Sequence, residues 1–245
     1  MGPADTWARM DAWLRRLGPA GAARPRAIVV ISAHWEAPVV TVTSGTAPAL
    51  IYDYYGFPPH TYALRYPAPG DPVLAADLCS RLQSAGIEAA ADPDRGFDHG
   101  VFIPFKLIYP DADIPIVQLS LHESLDPDLH VRIGRALAPL RDDRVLIVGS
   151  GMSYHNMNGF MRENGEIPAS DRFDQWLRDV CAQTGAARTN ALIDWLAAPA
   201  ARDVHPREEH LLPLMVAAGA GADEPGRCDF TDRVMGATVS AFAFG

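Results

Sequence analysis

Four histidines stand at positions where an α/β protein commonly carries functional side chains. His34 follows the apolar run Ile28–Ile31, and His155 follows a second strand-like run that starts at residue 144. His99 lies in the turn-like segment GFDHG, and His210 stands at the start of an apolar helix pattern. Because open α/β sheets bind ligands at the carboxyl ends of their strands, these side chains can converge at one edge of a sheet.

Such a set of histidines supports metal binding or proton transfer. A neutral imidazole binds iron, zinc, copper or nickel, and a histidine-rich set with few thiolates favours iron or zinc. Each residue also has a structural interpretation: Asp98 can brace the turn around His99, and Glu208 and Glu209 suit a helix start. Without an HxH or HxxxH spacing, the residues alone predict an α/β enzyme with a histidine-based site. The remaining histidines are expected to be structural or surface residues: His60, His122, His130 and His205.

The composition is that of an ordinary globular protein with an acidic balance. The chain has 245 residues, a hydrophobic fraction of 48% and a formal net charge of -9. Nucleic acid and anionic membrane surfaces attract basic proteins, so neither is expected as a partner. The cysteines Cys79, Cys181 and Cys228 have no CxxC spacing, which favours a reducing cytoplasm. No apolar run approaches the roughly 20 residues of a membrane helix.

Strands and helices alternate along the chain, which predicts a single α/β domain over residues 1–245. Its central sheet should be mostly parallel or mixed, flanked by helices, with the site at the carboxyl ends of the strands. Residues 48–72 are too rich in proline for a helix or central strand and predict a long structured loop. The expected strands are 28–34, 39–45, 87–92, 114–122, a strand from 144, and 236–245. The expected helices are 7–17, 73–86, 129–143, one or two within 170–198, and 205–221.

Signatures of two common enzyme classes are missing. The sequence has no Gly-x-Ser-x-Gly elbow and no phosphate-binding GxxxxGK[ST] loop. The segment Gly149–Gly151 follows a strand but lacks the other features of a dinucleotide site. A tight turn that brings His155 towards the strand ends is the simpler use of these glycines.

Five motifs, in order, carry a family resemblance. They are SAHWE, YDYYGFPPHTYALRYPAPGDP, GFDHGVFIPFKLIYPDADIPIVQLSL, GSGMSYHN and HPREEHLLPL. From about residue 24 to the C-terminus, the chain resembles class III extradiol ring-cleaving dioxygenases of the 4,5-DOPA dioxygenase branch. The resemblance implies that His34 and His210 are metal ligands and that His155 is the acid/base residue. It implies that His99 lines the same pocket and binds substrate or oxygen.

The resemblance also implies a reaction and a cofactor. One divalent metal ion per chain is expected, Fe(II) for activity or Zn(II) as isolated. The expected substrates are a small catechol-type aromatic and O₂, and the ring would open next to its two hydroxyls to give a semialdehyde. Family habit suggests a homodimer. The tyrosines between Tyr52 and Tyr66 could wall the pocket or pack against the sheet.

The beginning of the sequence departs from the family pattern. Family members usually begin with a strand and a glycine-rich turn that supplies a first metal histidine, whereas no histidine precedes His34 here. The expectation is either a late start or the loss of a strand and a ligand, and Glu209 is a conceivable substitute. Two alternatives stay open: a zinc-dependent hydrolase on the same fold, and a metal-free, non-catalytic binding protein.

Overall fold

A computed structural model describes residues 5–18, 24–161 and 165–245. The chain divides into two compact units. The first, here called the sheet unit, comprises Leu14–Ser124 and Pro139–Ser150. The second, the hairpin unit, comprises Met1–Trp13, Leu125–Ala138 and Gly151–Gly245. One catalytic domain over residues 1–245 therefore stays a prediction.

The described residues form helices and strands in alternation. The helices are α1 (Ala8–Leu17), α2 (Pro72–Ser84), α3 (His99–Ile108), α4 (Pro127–Leu137), α5 (Met157–Phe160), α6 (Pro168–Cys181), α7 (Gly185–Ile193), α8 (Ala201–Val204) and α9 (Leu212–Ala220). The strands are β1 (Ala27–Ala37), β2 (Val40–Thr43), β3 (Ala89–Asp92), β4 (Ile116–His122), β5 (Val145–Ser150), β6 (Gly226–Val234) and β7 (Ala237–Phe244). None of the helices in these ranges is long and apolar enough to cross a membrane.

A five-stranded mixed sheet is the centre of the sheet unit. Its order is β3-β2-β4-β1-β5. Strand β1 is parallel to β4 and β5, and β2 is parallel to β3 but antiparallel to β4. An unbroken apolar run such as Ile28–Ile31 suits a strand that is covered on both faces, and these residues are fully buried. The predicted α/β class with a mixed central sheet is confirmed.

The position of His34 within β1 differs from the prediction. The strand was expected to end at His34, but β1 continues to Ala37. Its pairing with β4 shifts between Ile31, opposite Leu119, and Glu36, opposite Leu121. The intervening four residues, 32–35, therefore face a single β4 residue, and the strand bulges within this segment, which includes His34. Such bulges redirect side chains and are frequent beside active sites.

Helix α3 and the proline-rich loop pack on this sheet. Asp98 is the N-cap of α3 and accepts a hydrogen bond from the backbone N–H of Gly100 at 3.0 Å. Phe102 and Phe105 of α3 are fully buried, in one cluster with Ile28 and Ile116. The predicted loop over 48–72 contains one short 3-10 helix, Pro59–Ala63, and the first residue of α2. The loop therefore lies against the same core as the strand that carries His34.

Two elements of the hairpin unit differ from the sequence prediction. Strand β6 was not predicted because most of its residues are exposed or half-buried and polar, so it lacks apolar alternation. The helix expected over 205–221 begins only at Leu212, which leaves His210 in the preceding turn. Pro213 explains this start: proline has no N–H to donate and is tolerated in the first turn of a helix.

Candidate active site

In the sheet unit, His34 and His99 lie against each other beside Asp53. Their ring centroids are 3.9 Å apart at an interplanar angle of 46°. Asp53 Oδ1 lies 2.7 Å from His99 Nδ1, and Asp53 Oδ2 lies 3.9 Å from His34 Nδ1. The side chains of His34, Asp53 and His99 are 25%, 22% and 31% exposed, so the group is accessible from solvent.

His99 determines the charge state of Asp53. Burial acts to raise the pKa of the Asp53 carboxyl. Hydrogen bonds from the side chain and the backbone N–H of His99 outweigh burial and hold that pKa below its usual value. The carboxylate therefore remains ionised and acts as a hydrogen-bond acceptor.

A buried polar network supports both histidines. Asp98 is fully buried and accepts hydrogen bonds from Ser32 Oγ at 2.7 Å and from the side-chain amide of Gln118. Ser32 Oγ in turn accepts a 3.2 Å hydrogen bond from the backbone N–H of His34. Burial raises the pKa of Asp98, against the opposing effect of these donors. Asp98 thus joins the bulged segment of β1 to the start of α3.

In the hairpin unit, His155 and His210 form a second group around Glu209. Their rings stack with centroids 3.3 Å apart and an interplanar angle of 16°. Glu209 Oε1 lies 2.8 Å from His210 Nδ1 and 3.4 Å from His155 Nδ1. The side chains are largely buried, at 24%, 14% and 9% exposure for His155, Glu209 and His210.

Glu209 is ionised and has one oxygen without a hydrogen bond. Burial acts to raise its pKa, but hydrogen bonds from His155 and His210 lower the pKa far below its usual value. Its Oε2 atom is buried and has no hydrogen-bond partner among the described residues. Arg207 lies 3.7 Å from that oxygen, as an ion pair. A buried carboxylate oxygen without a hydrogen bond can interact with an additional cation or accept a hydrogen bond from an additional donor.

His205 is a structural residue beneath this second group. It is fully buried, as the sequence predicted for a structural histidine, and its Nε2 lies 3.1 Å from the carbonyl oxygen of Ser153. Burial lowers the pKa of His205 to about 3. The backbone N–H of His155 donates to the carbonyl of Val204 at 3.2 Å. The C-terminal end of α8, with His205, therefore supports the loop that carries His155.

The tyrosines of the proline-rich loop have different surroundings. Tyr66 is buried in the core, whereas Tyr55 is 92% exposed. Tyr52 and Tyr54 contact the ring of Phe102, and Tyr54 also meets His99 edge-on, with centroids 5.7 Å apart. Both interpretations of the loop therefore apply: its inner tyrosines pack on the core, and Tyr54 borders the group around His99.

The structure groups the four predicted histidines in pairs. His34 and His99 lie in one group and His155 and His210 in the other, each with a carboxylate. In both groups the candidate ligand atoms lie within 4.8 Å of one another. Sequence reasoning noticed Glu209 but missed Asp53, which lies in an aromatic loop 46 residues before its partner His99.

These donors fit a divalent transition metal. Imidazole and carboxylate ligands suit ferrous iron and zinc, and two histidines with one carboxylate are the ligand set of many non-haem iron oxygenases. The buried Glu209 Oε2 is consistent with a nearby positive charge.

The match to a family model extends over nearly the whole chain. The model of the catalytic LigB subunit of aromatic ring-opening dioxygenase matches residues 6–243. The chain belongs to this family, and the predicted class, an extradiol aromatic ring-opening dioxygenase, is confirmed.

Individual relatives agree with this assignment. A protein of Beta vulgaris named 4,5-DOPA dioxygenase extradiol is 41% identical over 202 residues, which are 82% of this chain and 75% of the relative. A protein of Hapsidospora irregularis named dioxygenase tasH is 40% identical over 234 residues, 91% of this chain and 72% of the relative. The crystal structure of the uncharacterized protein JW3007 from Escherichia coli K12 matches with a TM-score of 0.79 and 32% identity, covering 94% of this chain and 91% of that one.

Proposed function

We propose that this protein opens the ring of a catechol-type substrate with O₂, next to the two hydroxyls, and releases a semialdehyde. The observation that carries the proposal is the gathering of the four predicted histidines into two groups, each with an ionised carboxylate. Family membership supports the reaction class, and the relatives named 4,5-DOPA dioxygenase support a catechol. Both oxygen atoms enter the product, so the reaction needs no external reductant.

His34 and His210 are the proposed metal ligands, with ferrous iron as the active metal. The bound ion would orient catechol and O₂ together and let electron density pass between them. Zinc accepts the same ligands but has no redox chemistry, so a zinc-loaded chain should bind substrate without turnover.

His155 and His99 are the proposed proton-transfer and substrate-binding residues. His155 points Nδ1 towards Glu209, which leaves Nε2 to accept a proton from the substrate hydroxyl and to return it later. Imidazole suits both steps because its pKa lies near neutral pH. His99, whose side chain is 31% exposed, would hold the substrate by a hydrogen bond.

Metal stoichiometry tests the ligand assignment. After anaerobic reconstitution with ferrous iron, we expect close to one iron per chain, and loss of most of it in His34→Ala and His210→Ala. His122→Ala is the matched control because His122, at the end of β4, bonds locally to Ser124. Equal iron in all four proteins would contradict the assignment of His34 and His210.

Oxygen uptake tests the reaction itself. With a panel of catechols that includes DOPA, we expect one O₂ consumed per ring opened and a product absorbing visible light. His155→Phe should keep its iron and lose about 10²–10⁴-fold in turnover, the usual contribution of a general acid/base. Iron binding without O₂ uptake on any catechol would overturn the proposed reaction.

The proposal also covers the cellular compartment and the oligomeric state of the protein. All three cysteines are unpaired, and we infer a cytoplasmic enzyme because a reducing compartment keeps thiols in that state. A homodimer is proposed from family habit, and light scattering of the purified chain measures it directly.

A further inference from the structure

Asp53 contacts two atoms of the same residue. Its Oδ1 accepts a hydrogen bond from the backbone N–H of His99 at 3.0 Å and lies 2.7 Å from the ring Nδ1 of His99. His99 is the first residue of α3, so Asp53 fastens the proline-rich loop to the start of that helix. The two contacts fix both the backbone and the ring of His99.

We propose that Asp53 is a positioning residue that holds His99 as the Nδ1–H tautomer, with Nε2 presented as the acceptor for a substrate hydroxyl. An ionised carboxylate accepts hydrogen bonds and cannot donate them, so the ring nitrogen that faces it must carry the proton. In a neutral imidazole the other nitrogen, Nε2, then has the free lone pair. This inference rests on the substrate-binding role proposed for His99, and it deepens that role by naming the atom.

The surroundings of His99 restrict its ring further. His34 lies against one face, with centroids 3.9 Å apart, and Tyr54 meets the ring edge-on at 5.7 Å. Tyr54 itself is held by its hydroxyl, which donates to the carbonyl of Thr61 at 2.7 Å. With Asp53 on the Nδ1 side and these two rings as neighbours, His99 has little freedom to turn. Such pre-orientation favours binding of a hydroxyl because little side-chain entropy is lost.

Direct metal binding by Asp53 is the competing interpretation. His34, Asp53 and His99 offer ligand atoms within 4.8 Å of one another. However, Asp53 Oδ1 already accepts a hydrogen bond from the backbone N–H of His99 and lies 2.7 Å from the ring Nδ1, a separation typical of a charge-assisted hydrogen bond. Carboxylates that orient a histidine through its other ring nitrogen occur regularly around metal sites.

Nitrogen NMR of the metal-free chain tests the tautomer without any catalytic step. In ¹⁵N-histidine-labelled protein at neutral pH, we expect His99, assigned with His99→Gln, to show a protonated Nδ1 and an unprotonated Nε2. Asp53→Ala should shift it towards the Nε2–H form, whereas Asp53→Asn should retain the wild-type tautomer because its amide oxygen still accepts from Nδ1. A wild-type His99 protonated at Nε2 would overturn the proposal even if Asp53→Ala fails to fold.

Binding of a catechol to the iron-loaded chain is the second readout. Asp53→Ala should raise KM by about 2–10-fold, the usual net worth of one well-placed hydrogen bond, and leave the iron content unchanged. Asp53→Asn should stay near the wild-type KM, and Asp111→Asn, at an exposed aspartate of the same unit, is the control. Loss of iron in Asp53→Ala with an unchanged His99 tautomer would overturn the proposal that Asp53 positions His99 and would show that Asp53 binds the metal. If the wild type proves inactive on catechols, the NMR result still decides the role of Asp53.

Discussion

Glu209 illustrates what a single residue contributes to this enzyme, because one oxygen faces the Nδ1 atoms of both His155 and His210. Removing it in Glu209→Ala should lower ferrous-ion affinity by about 10–100-fold, as is usual when the carboxylate behind a metal-binding histidine is lost. Titration of iron into the anaerobic apoprotein measures this change. Glu208→Ala, which removes the neighbouring carboxylate that pairs with Arg202 at 2.6 Å, is the control. Equal iron affinities in the two variants would contradict the prediction.

The three thiols provide a prediction on pH. Burial raises the pKa of the Cys181 thiol to about 12, and Cys181 is fully buried, whereas Cys228 is exposed. Only the thiolate is nucleophilic, and a raised pKa means that Cys181 stays protonated up to strongly alkaline pH in the folded state. At pH 8 an alkylating reagent should modify Cys228 first, Cys79 more slowly and Cys181 only after unfolding, as peptide mapping by mass spectrometry would show.

The same burial links Cys181 to stability. Its folded-state pKa is raised, so its contribution to stability is fully present below the unfolded pKa, near 9, and is lost as the pH rises towards 12. The free energy of unfolding of the wild type should therefore fall relative to Cys181→Ala as the pH rises through that window. Rapid labelling of Cys181 in the native chain at pH 8 would contradict both expectations.

For single residues, the sequence predicted a functional position where a reactive side chain follows a recognisable apolar pattern. His34 and His155 follow apolar runs, so their positions after strand-like segments could be predicted from the sequence. Asp98 was expected only to brace the turn around His99, and helix α3, which it caps, was not among the expected helices. The role of Asp53 could not be predicted from the sequence. Its partner His99 is 46 residues away, and contact between such distant segments depends on how the loop folds. The roles assigned to the four histidines remain predictions.

At the scale of elements, the crossing of α4 and α9 depends on two glycines. A Cβ on Gly134 would lie 2.0 Å from the carbonyl oxygen of Val216, and one on Gly219 would lie 2.3 Å from that of Val131. Elsewhere in a helix, Gly→Ala raises stability by roughly 0.5–1 kcal/mol. Here Gly134→Ala should lower the free energy of unfolding by about 1–3 kcal/mol, because backbone must move to relieve the clash.

Denaturant unfolding measures the change in the free energy of unfolding caused by Gly134→Ala, and the sign of that change decides the prediction. Arg132→Ala, at an exposed position of the same helix, should change the stability by less than about 0.5 kcal/mol. A gain in stability for Gly134→Ala would show that the two helices are not in such close contact.

Elements with clear periodicity were predicted and those without it were missed. The buried strands β1 and β4 and the helix α2 follow apolar patterns that local sequence reveals. Strand β6 is paired through its backbone with β7, although its side chains are mostly polar and exposed. Its partner β7 begins after only two intervening residues, so the pairing is local, but the exposed polar side chains of β6 leave no apolar alternation that would predict a strand.

At the scale of the whole molecule, metal binding should raise the free energy of unfolding. A ligand that binds the folded chain alone adds about 2.7 kcal/mol at 100 times its Kd. Anaerobic addition of ferrous iron should therefore raise Tm in a concentration-dependent way, and His34→Ala should abolish most of the rise. Magnesium, which prefers oxygen ligands, is the control ion. An equal rise in His34→Ala would place the stabilising ion elsewhere.

The proline-rich loop is held in its conformation by hydrogen bonds within the loop itself. The hydroxyl of Tyr52 donates to the carbonyl of Leu64 at 2.6 Å, and that of Tyr54 to Thr61, so the loop holds its own shape. Its outermost ring, Tyr55, is 92% exposed, and surface substitutions of that kind change stability little. The exposed rim of this loop around Tyr55 can therefore change by substitution at little cost in stability, while the hydrogen bonds of Tyr52 and Tyr54 preserve the conformation of the loop.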